Sequence, residues 1–468
     1  MRLTLAALAL CTAAPALAQD SDAATLALFK EVVEMPTVAG RAQVPALAEA
    51  LAAKYRAAGW AADDVRVLAY DGEAGEKTAA LMTRWRSPSP SGAKPILLLA
   101  HMDVVEAKRA DWQRDPFLLI EEDGYLYGRG TSDNKEGVVG ITRALLNLRA
   151  AGWQPTRDII VFFTGDEETA QNGARLGASE WRELLDADFA LNSDSGGGSF
   201  AADGRPLGFG LQTAEKTYHT VTFTVRNKGG HSSRPRPDNA IYELATALTA
   251  LEAHSFEPAL NETTRAYFTA RARQETGALG DAMRAWLAHP ADRAAADAIE
   301  ESELEVGTTR TRCVATRLEG GHADNALPQM ARATVNCRIL PGVDPTTITA
   351  ELQRIVGSGV DLAVTDAGEP TPASPLRPDV VAAYTYAVGA LHPGSPVIPQ
   401  MSTGATDGLF FRAVGIPVYG VSGAWGISPD DERAHGLDER LSVRALGDNV
   451  RHWEMMLREL AGKDRAAG

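Results

Sequence analysis

Five residues of this 468-residue chain have side chains and settings suited to metal binding: His101, Asp133, Glu168, Asp194 and His435. Two imidazoles and three carboxylates form a nitrogen and oxygen donor set that suits zinc. One carboxylate bridging two ions would give each ion two further protein ligands. Coordination positions then stay open, where water is activated near neutral pH and a carbonyl oxygen is polarised. Three of them also have a plainer reading. His101, in His101-Met102-Asp103, could be a core histidine bonded to its neighbour, and Asp133 could be only the N-cap of the helix after it. Glu167-Glu168 could be a solvated helix start. The joint pattern is more specific than any of its parts.

The surrounding elements decide whether these residues can meet. Residues 95–100 and 158–163 are short continuous apolar runs, the pattern of strands buried on both faces of a sheet. Residues 136–148 between them carry helical spacing. A third run, Phe189-Ala190-Leu191, ends at Asn192-Ser193-Asp194. Each run ends in polar, metal-capable residues, which is where open α/β sheets place their ligands.

From about Thr213 the pattern changes. Val221, Phe223 and Val225 alternate with polar residues as in a half-exposed strand, and Ile241, Leu244, Ala245, Leu248 and Leu251 recur with helical period. Extended runs at 309–318 and 330–340 flank the turn-rich segment 320–325. A helix over 346–355 and a strand near Leu362-Ala363-Val364 follow, completing a two-layer α+β unit. Residues 254–305, Ala-rich and charged, read as a helical elaboration. After Pro370-Thr371-Pro372 the α/β pattern returns, ending in an amphipathic helix with Val443, Leu446, Val450, Trp453 and Leu457 on one face. The expected organisation is an α/β catalytic domain over 19–212 and 370–468, with the α+β unit 213–369 inserted into it.

With these elements in place the chain resembles the co-catalytic zinc hydrolases that include glutamate carboxypeptidase, carnosinase-like dipeptidases, aminoacylase and succinyl-diaminopimelate desuccinylase. The motifs are Leu99-Ala100-His101-Met102-Asp103-Val104-Val105, Tyr127-Gly128-Arg129-Gly130 through Lys135, and Thr164-Gly165-Asp166-Glu167-Glu168. Ser193-Asp194, Gly230-His231-Ser232-Ser233 and a late loop histidine complete them. The resemblance implies a mixed sheet flanked by helices plus a lid and dimerisation domain. It implies two Zn2+ ions, with Co2+ or Mn2+ as substitutes, and Asp133 as the bridge. His101 and Asp194 then complete one site, and Glu168 and His435 the other.

The same resemblance makes Glu167 the proton shuttle and Asp103 the acceptor that orients His101. It makes His231 an oxyanion donor, often supplied to the other subunit of a homodimer. Asn325, Arg338, Gly404 and Thr406 become substrate contacts, with Arg338 a fork for a free carboxylate. Asp133-Asn134 is a candidate cis bond. The implied reaction is cleavage of a peptide bond beside a C-terminal carboxylate in a small peptide, with N-acyl amino acids as the alternative substrates. Desuccinylation in lysine biosynthesis is disfavoured by the export signal described next, and a catalytically silent peptide-binding protein would be expected to lose ligands or base.

Composition sets the context. A formal charge of −15 and a pI of about 5.2 offer no basic footprint for nucleic acid. Arg2, an apolar run over residues 3–14 and Ala16-Leu17-Ala18 predict a secretory signal peptide, 1–18, and a secreted or periplasmic protein without a membrane anchor. Two cysteines remain after cleavage, Cys313 and Cys337, opposite one another if the hairpin turns near Asn325. A bridge and two buried thiols are both open. No Gly-x-Ser-x-Gly elbow is present, and Gly208-Phe209-Gly210 lacks the third glycine of a dinucleotide fingerprint. His219, His254, His289, His392 and His452 are read as packing or surface residues.

Overall fold

The computed structural model describes residues 13–462; of the expected signal peptide, residues 1–12 lie outside the described residues. No described helix is long and apolar enough to cross a membrane. The described residues pack as two units, one within Met1–Leu211, Arg377–Val397 and Tyr419–Gly468, the other within Gln212–Leu376 and Ile398–Val418.

The first unit is built on a mixed sheet. Its order begins Val65–Asp71, Lys77–Trp85, Ile159–Thr164, Ile96–His101, Phe189–Asn192. The first three pair antiparallel, while Ile96–His101 runs parallel to both its neighbours. Every residue of Ile96–His101 and of Ile159–Thr164 is buried, so the unbroken apolar runs follow from having no solvent face. The parallel register sets His101 opposite Thr164, and Leu99 opposite Asn192. The loops leaving these three strands therefore emerge at one sheet edge.

The helix Lys135–Ala150 covers this sheet at Ile96–His101 and packs on the other side against Ala13–Val33 and Val443–Ala461. Being enclosed, it buries residues around most of its circumference, Lys135 and Glu136 included. Gly137 and Gly140 permit the approach: a Cβ at Gly137 would sit 2.1 Å from Ser193 Oγ, and one at Gly140 would sit 2.8 Å from Asn449 Nδ2.

The second unit carries a four-stranded antiparallel sheet in the order Arg312–Gly320, Met330–Ile339, Thr217–Arg226, Asp361–Asp366. Met330–Ile339 alternates strictly between buried and half-buried residues. Its inner face packs with Val221, Phe223, Leu244, Leu251, Ile348 and Leu352 beneath the helices Ala240–Ala253 and Pro345–Val356. Asn239 and Asp344 cap those helices through their side chains. Cys313 and Cys337 face each other in register and form a disulfide. The Ala-rich elaboration folds as three helices, Glu262–Gln274, Gly277–Ala288 and Arg293–Glu300, around its own core of Phe268, Met283, Trp286 and Ile299.

Candidate metal centre

The strand ends of the first unit bring His101, Asp133, Glu168, Asp194 and His435 into two triads that share Asp133. His101, Asp133 and Asp194 form one, and Asp133, Glu168 and His435 the other, with all ligand atoms of each triad within 4.8 Å of one another. His101 Nε2 lies 3.0 Å from Asp133 Oδ1 and 3.4 Å from Asp194 Oδ1. His435 Nε2 lies 3.2 Å from Asp133 Oδ2 and 2.9 Å from Glu168 Oε1. The two oxygens of Asp133 thus serve different triads. His101 is buried whereas His435 is exposed, on a left-handed backbone with φ 61°.

The electrostatics record surplus negative charge. His435 is pushed up to about 10 by its contacts with Asp133 and Glu168. Burial opposes protonation of His101, yet Asp194, Asp103 and Asp133 together hold it well above the ordinary imidazole range. Burial also lifts the carboxyls of Asp194 and Glu136, and neighbouring carboxylates add to both. Asp133 is held low, against its own burial, by the two histidines. A divalent cation at each triad would neutralise this surplus, and the donor set of nitrogen and oxygen matches zinc.

The loop carrying Glu168 is held from several sides. Asp166 accepts hydrogen bonds from Tyr70 Oη at 2.7 Å and from the backbone N–H groups of Asn172 and Gly173. Tyr70 Oη accepts in turn from Gly165 N–H. A side chain at Gly165 would strike Val44 and the Ala79 carbonyl. Glu167 stands outside both triads, its carboxylate accepting from Gln171 Nε2 at 2.8 Å.

Asp103 stands beside His101 and also serves a second contact. His101 Nδ1 lies 3.1 Å from the Asp103 backbone carbonyl and 3.6 Å from its carboxylate. The carboxylate also accepts the backbone N–H groups of Glu167 and Glu168 at 3.1 and 3.0 Å. Asp103 therefore holds the turn that presents both glutamates from a position beside the histidine.

Glu439 went unrecognised by motif and spacing. It is fully buried. Its Oε1 accepts from Ser132 N, Ser132 Oγ and Asp133 N at 2.7, 3.0 and 3.1 Å. Its Oε2 accepts from Arg129 Nη1 at 2.6 Å and Gly130 N at 3.1 Å. One carboxylate thus clamps the loop that carries Asp133, from a position four residues after His435. The only local signal was an acidic residue beside a ligand, which is common on any surface. Asn134 and Ser193 add a second tie: Asn134 Nδ2 donates to the Ser193 carbonyl and Ser193 Oγ donates to Asn134 Oδ1. The Asp133-Asn134 bond is cis.

The remaining sequence-predicted residues stand in the second unit. His231 lies on the short strand Gly230–His231, exposed, its Nδ1 accepting from Ser233 Oγ at 2.8 Å. Asn325 is exposed, and its carbonyl accepts from Ser232 N. Arg338 lies over the Tyr218 ring at 4.6 Å and donates to the Thr403 carbonyl. Gly404 N–H donates to Ser402 Oγ. Thr406 is buried and gives its hydroxyl to Glu215, which also pairs with Arg412.

The profile of the peptidase family M20/M25/M40 matches residues 97–459. The N-fatty-acyl-amino acid synthase/hydrolase PM20D1 of Xenopus tropicalis is 30% identical over 362 residues, covering 75% of this chain and 70% of the relative. The probable carboxypeptidase S-like 2 of Dictyostelium discoideum is 28% identical, covering 78% and 71%. Among solved structures, the M20 family metallo-carboxypeptidase Sso-CP2 from Sulfolobus solfataricus superposes with a TM-score of 0.69 at 19% identity, covering 93% of this chain and 98% of that one.

Proposed function

The chain belongs to the M20/M25/M40 peptidase family, and from that premise we propose that it is an exported dinuclear zinc hydrolase cleaving an amide bond beside a free carboxylate, as a carboxypeptidase or dipeptidase. The observation that carries this reading is the pair of ligand triads joined at Asp133, with Glu167 adjacent in sequence to the ligand Glu168. Two bound cations supply Lewis acidity and lower the pKa of water. The chain's own part is positional and acid–base. Asp103 holds the Glu167-Glu168 turn, and Glu167 takes the proton of the attacking water and hands it to the leaving nitrogen. His231 donates to the developing oxyanion and Arg338 receives the substrate carboxylate. Export accords with the leader-like first 18 residues and with the Cys313–Cys337 disulfide. Dimerisation through the inserted unit is part of the same proposal.

A second reading, an N-acyl-amino-acid amidohydrolase, is favoured by the activity named for the Xenopus relative. Both readings are tested by a panel of dipeptides and N-acetyl amino acids, assayed after chelation and after zinc add-back. Zinc-restored cleavage supports the hydrolase, and the preferred members separate peptidase from acylase. Glu167→Ala is expected to retain both metals and to lose at least about 100-fold in kcat. Wild-type turnover in that variant would refute the proton-transfer role.

A further inference from the structure

A cavity of about 320 Å3 within the first unit is lined in part by Asp133 and Asp194, and most of its lining comes from residues that are not metal ligands. That volume equals roughly ten waters, enough for one amino acid residue with a modest side chain. The parallel pair of strands Gly197–Phe200 and Trp425–Ile427 contributes to its lining. Glycine lets these strands pack closely on their neighbours, since a Cβ at Gly198 would strike the Phe209 ring at 2.3 Å and one at Gly196 the Gly210 carbonyl at 2.9 Å.

Glu136 lines the same cavity, in the first turn of the helix Lys135–Ala150. It shares the lining with the metal-ligand candidates Asp133 and Asp194. Its side chain is 3% exposed. Oε1 sits 3.4 Å from Asn134 Nδ2, while Oε2 is buried with no hydrogen-bond partner among the described residues. An acceptor left so needs a donor from whatever fills the space.

The charge of the lining tells which half of a substrate that is. Arg440 is the only cation among the described residues lining the cavity, and Asp431 occupies its guanidinium at 2.6 Å. Glu136 and Glu432 remain beside the ligand carboxylates. A substrate carboxylate finds no free cation among these residues, and a fatty chain would leave the Glu136 oxygen facing methylenes. A free amino group suits the unpartnered Glu136 oxygen and a lining without a free cation.

We infer that this cavity receives the acyl half of the substrate and that Glu136 accepts a hydrogen bond from a free amino group on it, making unblocked short peptides the preferred substrates over N-acylated amino acids. The inference rests on the amide-hydrolase reading of the metal centre given above. It assigns Glu136 as a specificity-determining residue acting on the substrate's amine.

The test compares Ala-Ala, N-acetyl-Ala-Ala and N-lauroyl-Ala with the zinc-loaded protein, wild type and Glu136→Gln, with zinc content measured on the same samples. Wild type is expected to favour Ala-Ala over its acetylated form by about 10- to 100-fold in kcat/KM, the range of a hydrogen bond to a charged group. Glu136→Gln is expected to reduce that ratio at least tenfold, with zinc content as in wild type. Preference of the wild type for either blocked substrate overturns the inference without recourse to any variant. An unchanged ratio in Glu136→Gln overturns it too, as does an equal loss on all substrates accompanied by loss of zinc, which would make Glu136 a support of the metal ligands. Zinc-independent behaviour, or no cleavage of any of the three by wild type, refutes the hydrolase reading itself.

Discussion

Glu439→Gln is the sharpest perturbation of the metal centre that leaves every metal ligand in place. The carboxylate it replaces is fully buried and accepts five hydrogen bonds, two on Oε2 and three on Oε1. An amide supplies one acceptor oxygen and one NH2 group, so one side of the clamp must set donor against donor. With the nitrogen on the Oε2 side, the Arg129 guanidinium, 3% exposed, keeps the Gly436 carbonyl but loses its carboxylate. Breaking a buried pair from one side costs about 3–5 kcal/mol. For domains of 150–250 residues each kcal/mol moves Tm by roughly 2–4 °C, which predicts a loss on the order of 10 °C. With the nitrogen on the Oε1 side, the Asp133 N–H and both Ser132 donors lose their acceptor, and the bridging carboxylate loses its anchor. Partners of metal ligands are typically worth 10- to 100-fold in metal affinity. Melting curves and zinc titration against a competing chelator read the two effects separately. A Tm within about 2 °C of wild type together with zinc affinity within about twofold would refute the clamp as the source of Asp133 positioning.

Other consequences follow from single residues. His435→Ala should lower bound metal from two ions per chain to one by emission spectrometry, because His435 belongs to only one triad; two retained ions would break that assignment. His452 is buried with both ring nitrogens unpartnered among the described residues, and burial, with His392 adding to it, holds its pKa down to about 3. The folded state therefore keeps this imidazole neutral while the unfolded state protonates near 6.5, so its contribution is complete above pH 6.5 and is lost as pH falls towards 3. Between pH 6.5 and 5 this amounts to about 2 kcal/mol. Urea unfolding of His452→Phe should show a pH dependence shallower by up to that amount, and an identical slope would exclude the group as the cause. Replacing both Cys313 and Cys337 by serine removes a link across 24 residues. The loop-entropy estimate is about 3 kcal/mol of lost stability; an unchanged urea midpoint would show the bridge to be redundant.

Much of the frame was legible because its information is local. A strand buried on both faces must be apolar throughout, so residues 95–100 and 158–163 announced themselves, and the structure forms Ile96–His101 and Ile159–Thr164 there. Residues 136–148 likewise carried the period of the helix that forms as Lys135–Ala150. Candidate ligands at the ends of such runs were legible too, since imidazole and carboxylate at parallel strand ends share one sheet edge. The hairpin spacing put Cys313 opposite Cys337 but left the choice between thiols and a bridge open, and the register resolved it.

What the sequence by itself determined, then, is which side chains are available for metal chemistry and which short segments carry them, because residue type and periodicity are written within a few positions. Tertiary structure alone decided how those side chains are held. Glu439 reaches Asp133 across 306 positions, and Asp103 reaches Glu168 across 65. Hydrogen bonding is satisfied at about 3 Å by whichever loops the packed sheet brings together, and no local period records that choice. The same holds for the buried oxygen of Glu136, whose lack of a partner among the described residues exists only once the helix is enclosed.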